Sequence, residues 1–127
     1  MDEADRIWNR SLELGRTHER AGDIALAAAL GFHSSATSGG FLDAVEGRTA
    51  ESLSAVESAF TWLDLESVAQ VIADVRSEID AGALDERAEQ LELSAEERYN
   101  AIIPSDAALE SAFRLRLVEM PEAFSAA

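Results

Sequence analysis

The sequence predicts an all-α protein that forms a single compact domain of about five to seven helices over residues 1–127. Apolar residues recur three and four residues apart along most of the chain, which is the spacing of one helix face. The alternation of apolar and polar residues that marks a strand is absent, and β-branched residues are few. A chain of 127 residues is also long enough to bury one hydrophobic core.

The first two helices are predicted on either side of a glycine. Residues 2–21 form the first helix, and its acidic start suits the positive end of the helix dipole. Gly22 ends this helix, and Asp23 caps the next one over residues 24–37. Because the second helix is apolar nearly all round, we expect it to be central and buried. Gly39-Gly40 ends it, since glycine takes left-handed backbone at little cost.

The middle of the chain continues as helices that are joined by short connections. Phe41–Val45 forms a short helical turn. Thr49 caps a helix over about 50–62, and Asp64 caps a helix over about 65–79. The latter helix has an apolar stripe at helical spacing, consisting of Val68, Val71, Ile72, Val75 and Ile79. Short connections predict that sequential helices pack as near-antiparallel neighbours.

The residue pattern in the last third of the chain predicts two or three helices. Residues 84–103 keep helical register, but the capping-box pattern Ser94-Ala95-Glu96-Glu97 leaves open whether this segment is one helix or two. Ser105 or Asp106 caps a final helix, which ends before a proline. Phe124 follows that proline, and we expect it to dock back on the core.

The charge of the chain is strongly negative. There are 25 acidic residues and 10 basic ones, all of them Arg, so the formal net charge is −15. Such a field repels nucleic acid and anionic membranes and attracts basic proteins. A high-GC coding bias or a generally acidic, halophilic surface is the alternative explanation. Cysteine is absent, no apolar run could span a bilayer, and the N-terminus is acidic, so we expect a soluble cytoplasmic protein.

No motif predicts catalysis or a bound metal. His18 and His33, the only histidines, fall on different predicted helices, and we interpret both as surface or satisfied core histidines. His33-Ser34-Ser35 is not a nucleophile and base, because adjacent helical residues do not face each other. Gly39-Gly40 lacks the preceding strand and further glycines of a phosphate-binding loop. We therefore expect a protein that is not an enzyme and binds no cofactor.

Carboxylates are concentrated in one segment of the chain, between Glu78 and Glu97. The predicted partner-binding residues are Glu78, Asp80, Asp85, Glu86, Glu89, Glu92, Glu96 and Glu97. If this segment is helical, then Asp85, Glu89, Glu92 and Glu96 share one face, and their mutual repulsion costs stability. A basic partner would compensate for that cost. A solvated helix face is the alternative interpretation of such a charge run.

Four short stretches resemble the bacterial DNA-mimic-protein (DMP) family. They are Gly39-Gly40-Phe41, the segment 64–72, the segment 97–102 and the segment 120–124. The resemblance covers about residues 20–125, so the chain divides into an N-terminal helix over 1–22 and a family-like helical core over 23–125. It implies an all-α fold and a carboxylate surface that imitates DNA phosphates and occupies the DNA-binding face of a repressor-like protein.

The sequence thus predicts an acidic protein-interaction module, with DNA mimicry as its specific form. The expected partner is a basic protein, such as a DNA-binding transcription regulator, rather than nucleic acid or a membrane. An immunity-type or other helical interaction protein with merely compositional acidity is the alternative, and an enzyme with an unrecognised carboxylate site is a third. A homodimer through Trp8 and the Ala-rich second helix also stays open, although core packing is the commoner use of both.

Overall fold

A computed structural model describes residues 2–13, 15–82 and 86–126 of the chain. Within these residues it contains seven α-helices, one short 3-10 helix and no strand, which confirms the all-α prediction. The helices are α1 Glu3–Ser11, α2 Ala21–Gly39, α3 Phe41–Glu46, α4 Ala50–Trp62, α5 Glu66–Asp80, α6 Ala88–Ile102 and α7 Asp106–Glu119, and the 3-10 helix is Pro121–Ala123. None of the helices in this part of the chain has the length and apolar composition of a membrane span.

Helix α2 lies at the centre of the fold, as its apolar composition predicts. It packs against α1, α3, α4 and α7, and α6 packs against α5 and α3. Phe32 of α2 is fully buried, and its ring meets those of Phe41, Phe60 and Tyr99 at centroid distances of 5.3, 6.1 and 6.3 Å. One aromatic cluster therefore joins α2 to α3, α4 and α6.

The boundary between the first two helices differs from the prediction. Helix α1 ends at Ser11 rather than at residue 21, and Gly15 has a φ of +75°, which a continuing right-handed helix cannot accommodate. Gly22 does not end a helix but lies inside α2. A side chain would not fit at this position, because the C-terminal segment packs closely against it: a Cβ on Gly22 would lie 2.7 Å from the Phe124 ring.

Asp23 is not a cap either. It lies in the first turn of α2, it is 1 % exposed, and its carboxylate binds the Arg10 guanidinium at 2.8 Å and the Ser125 amide nitrogen at 2.8 Å. Burying a carboxylate requires such partners, because the desolvation of an unpaired charge is costly. The ion pair with Arg10 therefore fixes α1 to α2, and the hydrogen bond from Ser125 fixes the C-terminal segment to α2.

The other predicted caps have mixed outcomes. Thr49 caps α4 as predicted, since its hydroxyl accepts a hydrogen bond from the Ser52 amide at 3.0 Å. Asp64 does not cap α5; it adopts a φ of +63° in the turn that precedes Leu65. Ser94 lies within an unbroken α6, so of the two alternatives that the sequence left open, one helix is correct and Ser94 does not begin a second helix. Leu84 belongs to residues 83–85, which lie outside the described residues.

Neither of the caps proposed for the last helix makes a side-chain capping hydrogen bond. Ser105 occupies the cap position of α7 without such a bond, and Asp106 is the first helical residue. Phe124 docks on the core as predicted: it is 3 % exposed, and its ring lies 5.7 Å from Trp62 and 5.4 Å from Phe113.

Trp8, which the sequence offered as a dimer contact, is partly buried inside the domain. Its ring lies 6.0 Å from that of Phe113 on α7. Trp8 therefore joins α1 to α7 within one chain. The N-terminal helix packs on the same core as the rest of the protein.

Candidate protein-binding surface on helix α6

The predicted partner-binding carboxylates fall into three locations. Glu78 and Asp80 lie in the last turn of α5, and Glu86 lies in the bend before α6. Glu89, Glu92, Glu96 and Glu97 lie on α6 itself. Asp85 lies outside the described residues.

The four carboxylates of α6 do not all face the same way. Glu89, Glu92 and Glu96 are three and four residues apart and share the flank of the helix that faces α3. Glu97 points about 100° further around the helix than Glu96 and is exposed. The acids of α6 therefore belong to two surfaces.

Glu92 is bound to the backbone of α3. Its Oε2 atom accepts a hydrogen bond from the Leu42 amide nitrogen at 2.6 Å. Leu42 is the second residue of α3, so its own helix offers this N–H no carbonyl partner. The other carboxylate oxygen of Glu92 lies over Gly40, where a Cβ would overlap with it. Glu92 thus caps α3 from a different helix.

Gly40 is needed for this arrangement on two counts. Its φ is +98°, in the region that favours glycine, and it leaves the space that the Glu92 carboxylate occupies. Phe41, the next residue, is 1 % exposed and joins the aromatic cluster. The Gly39-Gly40-Phe41 stretch is therefore one place where the acidic helix is attached to the core.

Three carboxylates meet at this attachment. Burial raises the pKa of Glu92 above its ordinary value of 4.5. A hydrogen bond with Glu96 and the negative charges of Glu96 and Asp43 act in the same direction, whereas the Leu42 N–H opposes them. A proton shared between Glu92 and Glu96 relieves their repulsion. Glu92 is half-buried, and its side chain binds the protein's own backbone at the start of α3.

The opposite flank of α6 faces α5 across an open groove of about 520 Å³. Arg87 lies 3.5 Å from Glu78, and Arg98 lies 2.9 Å from Asp74. Hydrogen bonds from Gln70 and Arg98 lower the pKa of Asp74. Glu78 is therefore partly neutralised within the chain, and this groove carries charges of both signs.

Besides Glu78, four of the predicted carboxylates are exposed. They are Asp80, Glu86, Glu89 and Glu97, and we call them the exposed carboxylate set. No ion pair joins any of them to a basic side chain in residues 2–13, 15–82 and 86–126. This set keeps its charge available to another molecule.

A second polar network connects three helices and was not predicted from the sequence. The Nδ1 atom of His33 lies 2.6 Å from the Tyr99 hydroxyl, and its Nε2 atom lies 2.7 Å from a carboxylate oxygen of Asp106. Tyr99 is 3 % exposed, and its burial, followed by the charge of Asp106, raises its pKa. No local sequence signal marks this network, because 66 and 73 residues separate its members.

His33 is thus a satisfied core histidine, one of the two interpretations that the sequence allowed. Its ring joins α2 to α6 and α7. Because a carboxylate can only accept, Nε2 of His33 donates to Asp106, and Nδ1 is left to bond with the Tyr99 hydroxyl. In the described part of the chain, no group of three or more Asp, Glu, His or Cys side chains is arranged to hold a metal ion.

Comparison of the chain with protein-family models, with curated proteins and with solved structures found no match. The resemblance to the DMP family therefore stays a prediction that depends on the sequence stretches alone. The structure adds the positions of the carboxylates, which the sequence stretches alone do not give.

The two adjacent glycines provide a matched test of the Glu92 cap. We expect Gly40→Ala to lower the free energy of unfolding by about 1–3 kcal/mol, because it strains the backbone and displaces Glu92. We expect Gly39→Ala to be neutral or stabilising by up to about 1 kcal/mol, because Gly39 is helical and an added Cβ would lie 4.0 Å from the Asp43 carboxylate, which is ordinary contact distance. Urea unfolding measures both. Equal effects at the two positions would contradict the cap.

The pH dependence of stability tests the carboxylate cluster. The raised pKa means that native Glu92 holds its proton more tightly than unfolded Glu92 does, so stability falls as the pH rises from 4.5 through the native pKa. Glu92→Gln removes this ionisation and keeps an oxygen for the Leu42 N–H. We expect its free energy of unfolding to fall less than that of the wild type between pH 4.5 and about pH 7. Glu97→Gln, on the exposed flank, should keep the wild-type profile; a wild-type profile for Glu92→Gln would refute the assignment.

Proposed function

We propose that this protein is an acidic protein-interaction module whose exposed carboxylate set binds a basic protein. The observation that supports the proposal is that some acids on and beside α6 are bound within the protein while others are not. Glu92 is committed to the fold and Glu78 is paired, whereas Asp80, Glu86, Glu89 and Glu97 make no ion pair within the described residues. Charges that the fold does not use are the ones that a partner can bind.

The energetic cost of this surface supports the same function. Glu86, Glu89 and Glu97 lie on or beside one helix in a chain with a net charge of −15. No basic side chain among the described residues forms an ion pair with any of the three, so they add to the overall electrostatic repulsion of an acidic chain, and a counter-charge from outside would reduce it. Arginine and lysine side chains of a partner would supply that charge and accelerate its association.

In its specific form, we propose that the basic partner is a nucleic-acid-binding regulator and that the carboxylates occupy its phosphate-binding groups. Such a surface is built to meet anions, so carboxylates can replace phosphates on it. DNA and this protein would then compete for one site, and binding would weaken steeply with salt. The proposal also places the protein in the cytoplasm, where such regulators act.

The alternative, an interaction protein whose acidity is only compositional, is favoured by the acids on the other helices. Glu46, Glu51 and Glu66 on α3, α4 and α5 are also exposed, so acidity is not confined to the surroundings of α6. These three residues give a control for the experiment, because they carry the same charge on a different part of the surface.

The decisive experiment compares two variants that each remove three negative charges. One is Glu86→Gln/Glu89→Gln/Glu97→Gln, and the other is Glu46→Gln/Glu51→Gln/Glu66→Gln. Basic DNA-binding proteins are captured from native lysate at low salt and purified, and their dissociation constants for the wild type and both variants are measured. We expect the first variant to bind about tenfold more weakly, since each exposed charge contributes up to about 1 kcal/mol, and the second to bind within about twofold of the wild type.

Competition with a short DNA duplex tests the mimic form separately. We expect the duplex to displace the protein from its partner, and binding to fall as salt rises. Equal weakening by both variants would show that the acidity acts only through net charge. If the first variant binds more weakly but the duplex does not displace the wild type, the partner still binds the carboxylates, and the DNA-mimic form of the proposal is refuted.

A further inference from the structure

A cleft of about 430 Å³ lies between α2 and the end of α1 with the segment that follows it. Its polar lining consists mostly of basic side chains and hydroxyls, namely Arg16, His18, Arg48, Ser11, Ser34 and Ser35. Among the described lining residues the one carboxylate is that of Glu13, which binds Arg16 at 2.6 Å. Basic groups therefore outnumber acidic ones in this cleft, although the chain as a whole has a net charge of −15.

Arg48 is a half-buried cation of this cleft. Its guanidinium carbon lies 5.8 Å from the centroid of the Phe32 ring, and its Nη1 atom donates a hydrogen bond to the Ser52 hydroxyl at 3.3 Å. Its Nη2 atom makes no hydrogen bond with the described residues and lies beside Gly31, where a Cβ would be 3.7 Å away. The guanidinium is thus held in place while part of its hydrogen-bonding capacity stays unused.

Carboxylates are plentiful around Arg48, yet none of those that the structure describes binds it. Asp43, Glu46 and Asp80 line neighbouring clefts that Arg48 also borders, and no ion pair joins any of them to Arg48. Most other arginines are paired with a carboxylate. Because a cation that is partly withdrawn from water without a counter-charge is costly, Arg48 is the group on which an anion from outside gains most.

Two further polar groups of the cleft are also unused. His18 is half-buried, and neither its ring nor the Ser34 hydroxyl bonds to any residue in 2–13, 15–82 and 86–126. Both can donate a hydrogen bond to an oxyanion. Leu12, which is 51 % exposed, and Ala27 line the same cleft and give it an apolar wall.

We propose that this cleft binds a phosphate group, carried by a small molecule or present as the free ion, with Arg48 as the main phosphate-binding residue. A guanidinium can bind phosphate through two parallel N–H bonds, and a phosphate monoester offers three acceptor oxygens to the several donors here. The volume of the cleft is in the range of small-molecule sites. The proposal does not depend on the exposed carboxylate set, which is suited to basic molecules.

An NMR titration of the intact chain tests the proposal with three probes: adenosine monophosphate, adenosine and inorganic phosphate. We expect the monophosphate to bind with a dissociation constant of about 1 mM or below and to shift the amide signals of Gly31 and Ser34. Adenosine, which lacks the phosphate, should leave these signals unchanged. Tighter binding of the monophosphate than of phosphate would assign the site to a phosphate ester whose body lies against Leu12, and equal affinities would assign it to the free ion.

Two pairs of variants separate the cleft from the net charge of the chain. We expect Arg48→Gln to weaken phosphate binding at least tenfold, whereas Arg87→Gln, which removes the same charge from the exposed residue before α6, should stay within about twofold of the wild type. Ser34→Asp places a carboxylate in the cleft and should also weaken binding at least tenfold. Ser58→Asp, on the exposed side of α4, is its matched control and should not.

Ser34→Asp decides the question alone if Arg48→Gln does not fold, because Ser34 is exposed on α2. Absence of binding by both the monophosphate and phosphate at about 10 mM would overturn the proposal. Shifts confined to another part of the surface would overturn it as well, and so would equal affinities of each cleft variant and its control.

Discussion

The hydrogen bond from the Leu42 amide to the Glu92 carboxylate is the interaction on which the acidic side of this protein depends. It satisfies a backbone N–H at the start of α3 that its own helix leaves without a partner, and it fixes α6 at the same point. The bond requires Gly40, whose positive φ and missing side chain leave room for the carboxylate. The burial of Phe41 beside it connects this contact to the aromatic cluster of the core.

This interaction shows that the acids between Glu78 and Glu97 do not all have the same role. A run of carboxylates on one helix is easily treated as one surface, yet the structure divides it into acids that stabilise the fold and acids that do not. Glu92 belongs to the first group, and Glu89 and Glu97 belong to the second. Only the second group can bind a partner without loosening α3.

Local patterns predicted those parts of the fold that local physics determines. The Thr49 cap and the apolar stripe of α5 are examples, because each depends only on residues that lie close together in one helix. The roles of Gly22 and Asp23 could not be predicted in this way, since Phe124 and Ser125, about a hundred residues later, determine them. The same holds for the candidate surface: charge density located the acids, but only tertiary packing shows which of them bind Leu42 or Arg87.

Hydrogen exchange at the Leu42 amide tests the central claim most directly. Because the Glu92 carboxylate is its partner, we expect this amide to exchange slowly in the wild type and rapidly in Glu92→Ala. The amide of Val56, buried in α4, should lose far less protection in the same variant. Rapid exchange at Leu42 in the wild type, or exchange there that Glu92→Ala leaves unchanged, would contradict the claim that Glu92 holds α6 on α3.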